Sequence, residues 1–297
     1  MTEAMHQPGA ESKLREDIYK YAAERMAMDP VPLDGPRSRS ELEANAGVTI
    51  SEAGIGGQKA LSIFQEVLAP ATISTDHPNF LSFIPAAPTE AATLFDLVVS
   101  ASSIYGGSWT EGAGAVFAEN QVLEFLAGEA GLPKGAGGVF VQGGTLGNLS
   151  ALVVARDVAE AKHGRQNWAI ICSSEAHSSV KSVGKVMGVT VISADASQTG
   201  SLTGDSAESA IKEAKDQGLT PFALVGTSGT TNFGIIDKLD ELADMAAAND
   251  LWFHVDGAYG LAGVLVEELK PLYRGLERAD SFIVDPHKWL FAPFDAC

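Results

Sequence analysis

The sequence predicts an α/β protein whose larger part is a parallel or mostly parallel sheet flanked by helices. After Pro133, short apolar runs at 138–142, 168–173, 188–193, 221–227, 251–256 and 281–285 alternate with helical patterns at about 147–163, 178–187, 205–217 and 237–249. That βαβα rhythm is the mark of strands joined by crossover helices. Glycines, hydroxyls, imidazoles or carboxylates follow most of these runs, where sheets of this kind bind their ligands.

The preceding part reads as helical. Residues 1–10 read as a disordered tail. From Ser12, the spacing of Leu14, Ile18, Tyr21, Ala22 and Met26 suits one amphipathic helix, stopped by Asp29-Pro30-Val31-Pro32. A loop rich in Pro, Gly and Ser follows, and then a second helix over 58–69. The segment from His77 to Pro85 is irregular, aromatic and bounded by prolines, and suits either a pocket wall or an apolar crossing between domains. Helical patterns at 89–104 and 114–130 flank a loop at Tyr105-Gly106-Gly107-Ser108-Trp109. The expected division is an N-terminal helical segment, 1–88, and a large domain, 89–297. The pattern stops soon after the last strand, as in a fragment of a longer protein that lacks the C-terminal part.

Composition narrows the ligand. A net charge of -18 and a pI near 4.6 oppose nucleic acid or an anionic membrane as partner. Only Cys172 and Cys297 are present, and there is neither an 18-residue apolar span nor an N-terminal signal pattern. A cytoplasmic protein acting on a small molecule is expected.

The chemistry converges on Ser281-Phe282-Ile283-Val284-Asp285-Pro286-His287-Lys288-Trp289. Lysine is rarely buried without a partner, and desolvation favours its neutral, nucleophilic form, which captures carbonyl compounds as Schiff bases. Read alone, Lys288 is first a gatekeeper against edge pairing, an order that the rest of the chain reverses. Gly143-Gly144-Thr145-Leu146-Gly147-Asn148 opens a helix and suits a phosphate, although tight turns use glycine without a ligand. His177 ends another strand, as a cap or a site residue. Gly229-Thr230-Thr231 either binds phosphate or caps a turn. His254-Val255-Asp256-Gly257-Ala258-Tyr259 ends a hydrophobic strand in a carboxylate. Neither G-x-x-x-x-G-K-[ST] nor G-x-G-x-x-G occurs, which removes the P-loop and nicotinamide readings. No metal site is expected. A phosphate cradle, an imidazole, a strand-end aspartate and a lysine are together what pyridoxal 5′-phosphate requires.

With His177-Ser178-Ser179-Val180, Gly229-Thr230-Thr231, His254 to Tyr259 and Asp285-Pro286-His287-Lys288-Trp289 in place, the chain from about residue 70 resembles the group II pyridoxal-phosphate-dependent amino acid decarboxylases. The resemblance implies the aspartate-aminotransferase-like fold (fold type I) and a homodimer acting on an amino acid. It implies Lys288 as the Schiff-base lysine, Asp256 as partner of the pyridinium nitrogen, and His177 and Ala258 on the two ring faces. Gly143, Gly144, Thr145, Thr231 and His287 would hold the phosphate, with Asp285 beside it. Phe80, Phe83 and Pro85 would line the substrate pocket, and the lack of Arg or Lys in 77–86 leans towards an apolar or aromatic substrate. Leu146 departs from the glutamate many members carry, and Ile84-Pro85-Ala86 lacks a threonine that some place after the proline. Aldehyde synthase, lyase or transaminase chemistry, or a non-catalytic fragment, are the alternatives.

Overall fold

The computed structural model describes residues 12–294 and 297, apart from 83, 85 and 197; the expected tail at 1–10 lies outside the described residues. The chain divides into two compact units between residues 82 and 83.

In the first unit, α1 spans Ser12–Met26, α2 Arg39–Ala46 and α3 Gly57–Ile63, the last running on through a wider turn at Phe64–Leu68 and a tighter one at Ala69–Ala71. Tyr21 packs edge-on against Phe64, and Arg25 pairs with Asp76 at 2.8 Å. The loop expected before residue 58 instead contains α2. Its start is written as Ser38-Arg39-Ser40-Glu41: the Ser38 hydroxyl accepts from Glu41 N, and the Glu41 carboxylate accepts from Ser38 N. This reciprocal cap satisfies two otherwise orphaned donors.

The second unit begins with α4, Glu90–Ala101, and α5, Trp109–Glu129, the latter bent at Gly112. Its sheet consists of β1 Trp168–Ser173, β2 Thr190–Ala194, β3 Thr220–Thr227, β4 Trp252–Asp256 and β5 Ser281–Ile283, all parallel, in the order β2-β1-β3-β4-β5. α6 Gly144–His163 precedes β1, and α7 Ser178–Met187, α8 Gly204–Asp216 and α9 Leu239–Asn249 lie between the strands that follow.

Burial on both faces explains why the strands read as continuous apolar runs. Ile170 and Cys172 of β1 pack with Leu152, Val180 and Val183 of α6 and α7, while Ala169 and Ile171 meet α8 and α9 through Ile211 and Leu242. Each such aliphatic side chain contributes roughly 1.5–3 kcal/mol by leaving water. The register sets Thr227 beside Asp256 and Asp256 beside Ile283, so three strands end level at one sheet edge.

The expected strand at 138–142 does not form. Its backbone finds one reciprocal pair of hydrogen bonds, between Val141 and Cys297 at 2.8 and 2.9 Å, and one such pair is not a ladder. The helix expected from residue 237 starts at Leu239 because the Asp237 carboxylate instead accepts from Leu202 N and Thr227 N. Among the described residues no helix is long and apolar enough to cross a membrane.

Candidate active site

A cavity of about 420 Å³ opens at the C-terminal ends of the strands, and its lining includes Gly143, Gly144, Thr145, His177, Thr231, Asp256, Ala258, Asp285, His287 and Lys288. These residues come from five separate loops and strand ends, and all ten expected cofactor contacts thus meet in one place.

The turn into α6 shapes one wall. Gly143 has φ of +79°, a region open to glycine and strained for other residues. A Cβ on Gly144 would lie 3.2 Å from both Asp285 carboxylate oxygens and 3.4 Å from the Ala258 methyl, closing the floor. The first N–H groups of α6 have no partner within the helix, and its positive end faces the same space.

Lys288 is paired rather than stranded. Its ammonium lies 2.8 Å from Asp285 Oδ2, and its side chain keeps 22% of its exposure against 2% for the carboxylate. The lysine segment thus holds Lys288 partly exposed and in an i, i+3 ion pair. His287 Nε2 lies 3.8 Å from the same oxygen, and its ring leans on Phe294. Tyr259 and Trp289 stack at 5.3 Å beside the lysine segment.

Asp256 is buried, accepting from Asn148 Nδ2 at 2.9 Å and from Ala258 N at 3.2 Å. His177 serves as a cap as well as lining the cavity: its Nδ1 accepts from Ser179 N and lies 2.8 Å from Ser179 Oγ. Behind Asp256, burial holds the His254 imidazole well below its ordinary pKa of 6.5, against the opposing pulls of Asp256 and of a hydrogen bond with the Ser281 backbone. Asn148 is the residue sequence reasoning passed over. It stood in the quoted 143–148 turn, but nothing local distinguishes a buried polar junction from a first-turn helix residue.

Thr227 Oγ1 and Asp285 Oδ1, both of cavity-lining residues, are buried without a hydrogen-bond partner. Such atoms call for a ligand or an ordered water. Together with the open floor at Gly144, an amine, a strand-end carboxylate and a helix N-terminus, they fit pyridoxal phosphate.

Of the expected substrate contacts, Phe83 and Pro85 lie outside the described residues, and Phe80 belongs to the first unit. Ile84 lines the cavity, and Ala86 N and Thr89 N donate to His287 O and Phe291 O, tying this stretch to the lysine segment.

Aromatic-L-amino-acid decarboxylase of Bacillus atrophaeus is 34% identical over 250 residues, 83% of this chain and 52% of that protein. L-2,4-diaminobutyrate decarboxylase of Rhizobium meliloti (strain 1021) is 33% identical over 249 residues, 82% and 50% of the two chains. Among solved structures, the glutamate decarboxylase domain of diaminobutyrate-pyruvate transaminase and L-2,4-diaminobutyrate decarboxylase from Vibrio parahaemolyticus matches with a TM-score of 0.84 at 30% identity, covering 96% of this chain and 64% of that one. The chain spans about half the length of the curated relatives it matches. The sequence model of the pyridoxal-dependent decarboxylase conserved domain matches residues 51–297, and on that extent of agreement the chain belongs to the group II pyridoxal-phosphate-dependent decarboxylases.

Proposed function

We propose that the full-length protein removes the carboxylate of an L-amino acid as CO₂, using pyridoxal 5′-phosphate held on Lys288. The observation that carries this reading is the meeting of Lys288, Asp256, His177 and the Gly143-Gly144-Thr145 turn around one cavity. When bound, the cofactor supplies an electron sink for the pair left behind as CO₂ departs.

This chain's residues have separable tasks in that reading. Lys288 Nζ supplies the amine that carries the cofactor, and Asp285 balances its charge in the free site. Asp256 would accept a hydrogen bond from the protonated ring nitrogen and so keep that proton in place. His177 and Ala258 confine the ring from its two faces. Gly143, Gly144, Thr145, Thr231 and His287 take the phosphate. The Tyr259–Trp289 stack keeps water from the lysine side.

An apolar or aromatic substrate side chain suits this site better than an acidic one. Among the described lining residues Lys288 is the one lysine, there is no arginine, and Ile84 and Phe294 add apolar surface. Relatives of nearly equal identity carry the names of different substrates, so identity alone does not choose. A homodimer is supported by α4, whose Leu94, Phe95, Leu97, Val98 and Val99 are all exposed. Two cysteines without a disulfide support a reducing, cytoplasmic setting.

The test is the absorbance spectrum of the full-length protein with pyridoxal phosphate, before and after borohydride, followed by peptide mapping and assay of CO₂ and amine. A visible band abolished by reduction, with the label on Lys288 and amine formed in step with CO₂, is expected. A label on another lysine, or no band in folded protein, would overturn the reading.

A further inference from the structure

Asn148 makes three hydrogen bonds in a space where it is 1% exposed. Its Nδ2 donates to Asp256 Oδ2 at 2.9 Å and to Ser179 Oγ at 2.9 Å, and its Oδ1 lies 2.8 Å from His254 Nε2. Ser179 Oγ in turn contacts His177 Nδ1. One amide therefore touches the carboxylate on one side of the cavity and, through one hydroxyl, the imidazole on another.

The donor-only Trp252 indole at the far end and the acceptor-only Asp256 carboxylate at the near end together set the direction of the bonds. Trp252 Nε1 can only donate, and it donates to Ser281 Oγ at 2.8 Å. The Ser281 hydroxyl is thereby free to donate its own proton to His254 Nδ1, 2.9 Å away, and the Asp256 carboxylate, which only accepts from Asn148 Nδ2 and so leaves Asn148 Oδ1 to accept from His254 Nε2, requires that direction. With Nδ1 accepting, a neutral His254 carries its proton on Nε2 and donates it to Asn148 Oδ1; the tautomer is assigned from this network. Both Asn148 Nδ2 hydrogens must then face Asp256 and Ser179. The flipped amide would set an oxygen against the Asp256 carboxylate and a hydrogen against the His254 donor. Burial, which disfavours the imidazolium form of His254, acts in the same sense.

We propose that Asn148 is a positioning residue that aims the Asp256 carboxylate and, through Ser179, the His177 imidazole, with its own orientation held between that carboxylate and the Trp252–Ser281–His254 chain. The inference rests on the reading of Asp256 as partner of the cofactor's ring nitrogen. Asp256 spends part of its acceptor capacity on Asn148 and Ala258 N, so the remaining lone pairs point in a direction those two donors decide.

The test separates aim from mere stability. Full-length wild type, Asn148→Ala and Ser179→Ala are titrated by equilibrium dialysis with pyridoxal phosphate and with an analogue whose ring nitrogen is replaced by carbon. The wild type is expected to prefer the natural cofactor by about tenfold or more, the worth of a hydrogen bond to a charged group. Asn148→Ala is expected to bring that ratio close to one while changing affinity for the carbon analogue little. Ser179→Ala is expected to keep the ratio and weaken both ligands alike. An unchanged ratio in folded Asn148→Ala overturns the inference and leaves the cofactor reading standing. A wild-type ratio near one overturns the Asp256 reading and this inference with it. Should Asn148→Ala not fold, His254→Phe, which leaves the amide but removes its guide, is expected to lower the ratio about threefold; an unchanged ratio there is equally decisive against the proposal.

Discussion

The Lys288 ammonium and the Asp285 carboxylate form an ion pair of 2.8 Å within one turn of chain, both residues lining the cavity and the carboxylate lying beside Gly144 at the start of α6. The carboxylate is the more deeply buried partner. Its second oxygen has no hydrogen bond, so Lys288 is its main compensation.

Removing the lysine should therefore cost stability as well as chemistry. Lys288→Ala leaves a buried carboxylate unpaired, and a loss of about 1–3 kcal/mol is expected in urea unfolding of the cofactor-free protein. Adding Asp285→Asn to that variant should recover most of the loss. A double variant no more stable than Lys288→Ala would show that the pair is not coupled.

Asp256→Asn tests the carboxylate itself. The substitution keeps the shape but not the negative charge that retains a proton on the ring nitrogen. Turnover of the full-length protein is expected to fall about 100-fold or more, the scale of losing one preorganised electrostatic contact. Steady-state measurement of kcat at saturating cofactor decides it.

His254 makes stability fall on the acid side. Its folded pKa is depressed from 6.5 by burial, so the unfolded chain takes up a proton that the folded chain refuses. The contribution is complete above about 6.5 and is lost as pH falls towards the depressed folded value of about 4. Between pH 7 and pH 4.5, wild type should lose more unfolding free energy than His254→Phe, which has no such proton to bind.

Asp237 acts in the opposite direction. Burial outweighs its two backbone donors, Leu202 N and Thr227 N, and pushes its pKa from 3.8 up to about 6. Its contribution is fully present below 3.8 and lost as pH rises through about 6. That displacement corresponds to about 3 kcal/mol. The stability of wild type relative to Asp237→Asn, from urea curves at pH 4 and pH 7, should decline by that order.

The apolar face of α4 gives the assembly prediction. Phe95 keeps 67% of its exposure in the single chain and Val98 54%. Phe95→Glu is expected to shift the full-length protein towards monomer in sedimentation velocity. An unaltered dimer would place the interface elsewhere.

Much of this molecule was legible in residue order. Periodicity sets elements because a helix or strand buries one stripe or both faces of a local segment, and β1, α7 and β4 follow that rule closely. The motif ending in Lys288 and the aspartate ending β4 carried the family and its cofactor. The cap that starts α2 is also written in the chain, as Ser38 and Glu41, but its turn-forming neighbours mask it. By contrast, residues 138–142 have a strand's composition, and whether they form one depends on a ladder partner that no local pattern supplies.

The sequence by itself determined most of the helical and extended segments, α2 and 138–142 excepted, and which five segments carry reactive groups. Tertiary structure alone decided how those groups meet. The β4–β5 register levels Asp256 with Ile283, the turn after β5 brings Asp285 under Lys288, and Asn148 bonds to Asp256 across 108 residues of sequence. The physical reason is range: propensity and periodicity act within a few residues, whereas hydrogen-bond satisfaction in a buried space is settled only when distant segments are packed together.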